Sequence, residues 1–585
     1  MHAQMDKIAL KAKLNTLENL SNEEKAYLLA LIESKTYGLV WEEKPEDVEI
    51  RLQNELPIFR EMKEREILSK NLPNTQLFDP TKQIPNHILI EGDNLHALTA
   101  LSFTHQNAID VIYIDPPYNT GNKDFRYNDK FIDKEDTFRH SAWLSFMQKR
   151  LKIAKELLNE KGVIFISIDD NEQAQLKLLC DEIFGENNFV SDIIWQSRKS
   201  VSNDTFISLN HNYTLFYAKN ISLLDKNDVR LPISKEKFEN PDNDSRGAWV
   251  ADPFDAPNIR PNLTYVIKNP FNGKEFLPPK GRCWRTTEEE YLKLLEDKRI
   301  IFGKKGDSKP QLKRFLDFAE KKGTTPISIW YDIDTTTNGT QQLEQIFGNK
   351  VFTNPKPLGL LDRILKISSK PNSKILDFFA GSGTTMHAVM QLNAEDGGNR
   401  QCILVTNNEN NICEEVTYIR NKKVIEGYTT PKGAAVAGLK ENNLRYYVCD
   451  FVGREETVEN KKRLTMEATH LLCIKENCYV EITQDYAAGD SMRIFAEQAA
   501  CFLIIYSDDF IPDAIPIIEQ LHTDLGLLVK VYVFSQGSYA YDSDFEEVAD
   551  LIELCALPDA IYRAYQNVLP KKKMEQAGET KDGLF

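Results

Sequence analysis

DVIYIDPPYN, residues 110–119, runs from an apolar, β-branched stretch straight into two prolines. The first half has the composition of a buried strand. Pro116 and Pro117 end the hydrogen-bond ladder and fix φ, so the loop that follows holds one rigid shape. Asp115 then stands at the carboxyl end of a strand, where ligands bind in open α/β sheets. Such a loop offers a carboxylate, a proline carbonyl and the face of Tyr118. Together these suit an exocyclic amine on a stacked ring; the plain alternative is a strand-ending turn with an incidental tyrosine.

Outward from this stretch, strand and helix patterns alternate. HILIEG (87–92), GVIFISID (162–169), DIIW (192–195) and YTLFYA (213–218) read as strands, with a helix from Trp143 to Asn159 between the second and third. The alternation returns at KILDFF (374–379), a helix from Thr384 to Leu392, and CILVT (402–406). This text predicts an α/β fold with a doubly wound, mostly parallel sheet. It divides as an N-terminal helical region over 1–85, sheet segments over 86–220 and 345–440, and an inserted domain over 221–344. A C-terminal α/β domain follows over 441–585, its strands at ACFLIIY (500–506) and LLVKVYVF (527–534), ending in a solvated tail, KKKMEQAGETKDG. Leucines between Leu14 and Leu31 and a Ser21–Glu24 capping box support the first region.

Three further stretches carry chemistry. In Lys374-Ile375-Leu376-Asp377-Phe378-Phe379-Ala380-Gly381-Ser382-Gly383-Thr384-Thr385 a strand enters a glycine turn that opens a helix. Glycines let backbone approach a ligand, and the helix N-terminus favours an anionic group. The Walker pattern is absent, and Met386 stands where the third glycine of the dinucleotide fingerprint would fall, so a carboxylate-bearing ligand without pyrophosphate fits best. After CILVT come Asn407, Asn408 and Glu409; an acidic residue at that place binds ribose hydroxyls, and Glu409 is favoured because it accepts from both. Glu91-Gly92-Asp93-Asn94 forms either a second ligand-facing acidic turn or a plain helix N-cap by Asp93.

Composition sets the frame. Of 585 residues, 41% are hydrophobic and 27% charged, the balance of a globular protein of several domains. No apolar run approaches membrane-spanning length and MHAQMDKIALKAK has no apolar signal segment, so a cytoplasmic protein without membrane contact is expected. The scattered cysteines lack paired metal-ligand spacing, so no metal is expected. The net charge is −16, yet residues 196–330 hold 24 Lys and Arg against 18 Asp and Glu, whereas residues 441–585 hold 13 against 26. The basic middle is compatible with a nucleic-acid partner.

Taken together, DPPY (115–118) and FAGSG (379–383) resemble the catalytic and cofactor motifs of amino-group DNA methyltransferases that use S-adenosyl-L-methionine. The catalytic motif comes first and the glycine turn 266 positions later, an order that resembles the β class, whose intervening segment is the target-recognition domain. The resemblance implies catalysis by Asp115, Pro116, Pro117 and Tyr118. It implies a cofactor site of Asp93, Asn94, Lys356, Pro357, Asp377, Phe379, Ala380, Gly381, Gly383, Thr384 and Glu409. Phe352-Thr353-Asn354-Pro355-Lys356-Pro357 resembles the segment closing over the cofactor's methionine end. His211-Asn212-Tyr213, with the strand to Tyr217, resembles the target-base pocket, although alternation places Tyr213 and Tyr217 equally well in the sheet core.

The flanking text YGLVWEEKPEDVEIRLQNELP and the long C-terminal region resemble the modification subunit of type III restriction–modification systems. That implies double-stranded DNA as substrate, adenine N6 as acceptor, a homodimer, and a nuclease–helicase partner. A solitary methyltransferase is the near alternative, and a recognition subunit with a silent site the distant one, because DPPY and FAGSG are intact. Cytosine-N4 enzymes more often carry Ser at the place of Asp115.

Overall fold

Val, Ile, Leu and Phe fill the strands so densely that both faces of the sheet they form must be covered. The computed structural model describes residues 46–69 and 84–569, except 122–124, 128–129, 134, 304, 487–488 and 498, together with Ser21, Lys25, Trp41, Glu42 and Lys44. Contacts divide the chain into two units, one of residues 1–223, 328–361 and 370–585, the other of residues 224–327 and 362–369.

The first unit holds a ten-stranded sheet. In chain order its strands are β1 (Glu55–Glu61), β2 (Asn86–Glu91), β3 (Ile109–Ile114), β4 (Leu158–Ile168), β5 (Phe189–Trp195), β6 (Asn212–Ala218), β7 (Ile329–Trp330), β8 (Lys374–Asp377), β9 (Gln401–Thr406) and β10 (Asn443–Gly453). Their spatial order is β1-β10-β2-β9-β8-β3-β4-β6-β5-β7. From β10 through β4 every neighbour is parallel; β6 runs antiparallel between β4 and β5, and β1 antiparallel at the edge. This is the doubly wound α/β sheet that the alternation predicts.

Ile88, Ile90, Ile112, Ile114, Ile164, Ile166, Ile403 and Val405 pack into one core with helices α1 (Asp47–Asn54), α2 (Asn94–Thr104) and α3 (Arg139–Leu157). The residues alternating with them, among them Leu89, Val111, Tyr113, Ile375 and Leu404, are also buried, so the opposite face is covered too. Helices α4 (Gln173–Cys180), α5 (Thr336–Phe347), α6 (Thr384–Asp396) and α7 (Ile419–Glu426) complete the surroundings of the site. No helix among the described residues is long and apolar enough to cross a membrane.

Three boundaries differ from the sequence reading. LPIF within β1 pairs along β10, so the N-terminal region is not wholly helical: pairing with a distant strand overrides local spacing. The leucine repeat and Glu24 lie outside the described residues, as does the tail. β10 pairs with β2 inside the large sheet, so residue 441 is not where a separate domain begins. A four-stranded sheet of β11 (Met492–Glu497), β12 (Ala500–Ile505), β13 (Val529–Phe534) and β14 (Ile552–Leu557) follows it in the same unit. Finally, β7 and α5 belong to the first unit, which moves the end of the insertion from 344 to 327.

The second unit has small antiparallel sheets around Phe254, Ile267, Trp284, Tyr291, Ile300 and Phe302. Much of its charge is internal: buried Lys313 meets Asp242 and Asp244, and Arg282 and Lys309 both meet Asp255.

Candidate active site

β2, β9, β8 and β3 are consecutive neighbours, so the four stretches singled out in the sequence leave one rim side by side. Thr406 lies level with Glu91, and Ile375 and Leu376 pair with Val111 and Ile112. The glycine turn and the DPPY loop thus emerge from adjacent strands.

In the DPPY loop the Asp115 carboxylate accepts from two donors: Lys356 Nζ at 2.6 Å on Oδ2 and the Tyr118 hydroxyl at 2.9 Å on Oδ1. Asn212 Nδ2, at the first residue of β6, lies 3.4 Å from the same hydroxyl. Burial, then the charge of Asp115, pushes the Tyr118 phenol well above its ordinary value, so it stays a donor. The Lys356 ammonium also sits 5.0 Å from the centre of the Tyr118 ring.

The loop is held from behind by residues that no local motif announces. Trp143 Nε1 on α3 donates to the Pro117 carbonyl at 2.7 Å. Asn119 turns the chain with φ of 57°, a left-handed conformation that Asn tolerates better than most side chains. Its Nδ2 donates to Glu172 Oε1 at 2.6 Å and to the Arg139 carbonyl at 3.2 Å. Glu172 is fully buried, lies 2.7 Å from His140 Nδ1, and is pushed up to about 8 by burial.

On the cofactor side, Gly381 and Gly383 both adopt positive φ. A Cβ on Gly383 would lie 2.5 Å from Asn421 Nδ2, and one on Gly381 3.3 Å from the Phe352 ring. Asp377 is buried and accepts from the Phe379 amide at 3.0 Å and the Thr385 hydroxyl at 2.5 Å, which ties the turn down; burial pushes it up to about 7. Ala380 N donates to the Val405 carbonyl. Thr384 Oγ1 donates to the Lys356 carbonyl at 3.2 Å, and Pro357 beside it is buried. Lys356 is therefore the residue that joins the two halves.

Arg420 on α7, fully buried, donates to Ser382 Oγ at 3.1 Å and to Thr384 Oγ1 at 2.6 Å from beneath the turn. Thr417 Oγ1 donates to the Gly381 carbonyl at 2.6 Å. Burial pulls the Arg420 guanidinium down to about 9.

Residues 109–419, more than half of the chain, match the family described as DNA methylase, the N6/N4 methyltransferases. The chain belongs to that family. It is 39% identical over 351 residues to the Mod subunit of the type III restriction-modification enzyme StyLTI of Salmonella typhimurium, covering 55% of this chain and 52% of the relative. Against the type III Mod subunit EcoP15I of Escherichia coli the figures are 32%, 59% and 61%. Against the type II methyltransferase M.KpnI of Klebsiella pneumoniae they are 34%, 58% and 84%. The chain thus spans about half to three-fifths of those two Mod subunits.

Some expected site residues have framework partners. Asp93 caps α2 through the Leu95 amide at 2.8 Å and faces Arg150 at 3.7 Å, the N-cap alternative. Both polar atoms of Asn94 are engaged, Nδ2 with the Phe378 carbonyl at 3.2 Å and Oδ1 with Arg150 Nε at 2.5 Å. Asn408 Oδ1 caps the Cys413 and Glu414 amides, whereas Glu409 is exposed at the rim. Tyr213 lies near the rim with its hydroxyl 2.9 Å from Asp170. Tyr217 is not in the pocket. Four residues further along β6, it is fully buried against Phe184 and Phe189 and donates to Asp181 at 2.8 Å. Alternation fixed its face but not its depth.

Proposed function

We propose that this chain transfers a methyl group from S-adenosyl-L-methionine to the N6 amine of adenine in a specific sequence of double-stranded DNA. One observation carries the reading: Asp115 and Tyr118 stand beside the glycine turn of residues 381–383, with Lys356 bonded to both sides. The turn fits the proposed cofactor. Gly381 and Gly383 hold positive φ, which glycine adopts without strain, and α6 opens at Gly383, so its first amides would face an anionic end such as a carboxylate. Phe379, Ala380, Gly381, Gly383, Thr384, Lys356 and Pro357 would form the cradle, Glu409 would take the ribose hydroxyls, and Asp377, Asp93 and Asn94 would hold the frame.

The cofactor supplies an activated methyl on sulfonium sulfur. The chain's task is to present the amine. An adenine inside a duplex is out of reach, so the base is extruded and stacked on Tyr118. Its two N–H bonds then point at Asp115 and the Pro116 carbonyl, which draws the nitrogen's lone pair out of the ring. Asp115 and the Pro116 carbonyl would hold the amine in place while it accepts the methyl group, and the N–H proton it gives up would pass by way of Asp115 to solvent. Positioning of this kind can supply roughly 7–11 kcal/mol, with the Asp115 charge adding to it.

Identity with the Mod subunits supports a modification and recognition role in a type III system. Residues 224–327 would read DNA, and the acidic C-terminal region would serve self-association and a nuclease–helicase partner in the cytoplasm. M.KpnI, most of whose length is matched, supports a second reading as a methyltransferase acting without such a partner. Asp115→Ala tests the core: methyl transfer from labelled cofactor should vanish, while equilibrium cofactor binding changes by no more than about threefold. Undiminished transfer would remove Asp115 from the mechanism. Modified-base sequencing of DNA from expressing cells should then show N6-methyladenine at one recurring sequence, and co-purification with a nuclease–helicase chain separates the two readings.

A further inference from the structure

The hairpin between β5 and β6, residues 196–211, rises from the same rim as the DPPY loop, because β5 ends and the antiparallel β6 begins there. Its foot touches the site: Ser197 Oγ donates to Asn212 Oδ1 at 3.0 Å, and Asn212 in turn reaches the Tyr118 hydroxyl. Its two arms are stitched together. Arg198 N donates to the Asn210 carbonyl at 3.2 Å, Asn210 Nδ2 to the Ser200 carbonyl at 2.8 Å, and Ser202 N to Ser208 Oγ at 3.0 Å. The stitching stops there, so residues 203–207 form a tip held away from the body. At that tip Phe206 is fully exposed, with relative exposure 110%, and Ile207 is 79% exposed; Val201 at 72% and Leu209 at 56% flank them. Exposed Arg198 and Lys199 stand at the foot, and Asp204 is the only carboxylate in the hairpin.

An apolar tip kept in water by a braced stem marks a surface with a partner. We propose that residues 203–207 are a wedge for duplex DNA: Phe206 and Ile207 enter the base stack and fill the gap left by the extruded adenine, while Arg198 and Lys199 hold flanking phosphates. The inference rests on the methylation reading above. Three observations select DNA over a second copy of the chain. The tip is narrow, it carries cations at its foot, and that foot reaches the Tyr118 hydroxyl through Asn212. Apolar wedges between base steps are an established device for unstacking a duplex.

The test uses the full chain and a duplex bearing its own methylation site, mapped by sequencing, beside the same duplex with an abasic residue opposite the target adenine. The abasic duplex has already lost the pairing that the wedge must replace. For the Phe206→Ala, Ile207→Ala double variant, kcat/KM should fall at least about tenfold on the paired duplex and less than about threefold on the abasic one. Phe206→Trp should stay near wild type on both, and cofactor binding should not move. Equal losses on the two duplexes, or no loss on either, would overturn the wedge. So would a shift to a smaller species in sedimentation, which would assign the tip to a second copy. Transfer by wild type and its loss in Asp115→Ala test the underlying reading separately.

Discussion

Glu172 shows how a residue remote from the reacting atoms can govern them. Its Oε1 fixes Asn119, and Asn119 sets the direction in which DPPY leaves the rim. An ordinary glutamate titrates near 4.5, whereas burial pushes this one up to about 8. Between those values the unfolded chain has released a proton that the native side chain keeps, so stability falls as pH rises through that window. Asp377, moved from 3.8 to about 7 by burial, acts in the same direction. Glu172→Gln cannot ionise. Between pH 5 and 8, denaturant unfolding of wild type should therefore lose roughly 1–3 kcal/mol more than the variant does; parallel curves would mean that the native carboxyl is ionised. Trp143 holds the other side of the loop. Trp143→Phe keeps most of the ring but strips the Pro117 carbonyl of its donor, at a cost of about 1–3 kcal/mol. Because a small misplacement near the reacting atoms can lower rate by up to about a hundredfold, kcat should fall far more than cofactor affinity, as single-turnover kinetics and binding titrations would show.

At the scale of elements, the turn joining β8 to α6 is fixed by backbone more than by side chains. Gly383, at φ 74° and with Asn421 and Thr417 packed where a Cβ would stand, leaves no room for alanine. Gly383→Ala should destabilise the chain by about 1–3 kcal/mol and weaken cofactor binding. A variant with unchanged melting temperature and affinity would show that the turn can open by moving α7. The same elements explain what the sequence disclosed. Strands β2, β3, β8 and β9 were legible because their apolar runs are unbroken and each ends in a turn signal, and their motifs stand together because parallel neighbours share a rim. Glu172 was not legible as a partner of the catalytic loop, since it stands 53 residues from Asn119 with no local spacing to connect them, whereas Asn212, 94 residues from Tyr118, was reached only through the resemblance of His211-Asn212-Tyr213 to a target-base pocket. β1 was lost among helical leucines for a related reason: its four apolar residues become a strand only because β10 is there to pair with them.

On the scale of the whole first unit, the C-terminal region is built into the core. β10 hydrogen-bonds to β2 along its first half and to β1 along its second. Helix α8 (Asp559–Gln566) places Tyr565 in the same core as α2 and donates its hydroxyl to the Pro57 carbonyl at 2.8 Å. Lys475 reaches the Phe103 carbonyl at 3.0 Å, and Leu471, Phe502 and Leu557 join that core. Cutting the chain after residue 440 would strip the edge of β2, leave β1 without its partner and uncover the outer face of α2. An exposed, flat, apolar strand edge is a template for aggregation. The fragment of residues 1–440 should therefore be insoluble or bind apolar dyes without a cooperative melting transition, even though it keeps both DPPY and FAGSG. A soluble fragment that melts cooperatively and binds cofactor like the full chain would show that the sheet closes without β10, and that the acidic region is an appendage.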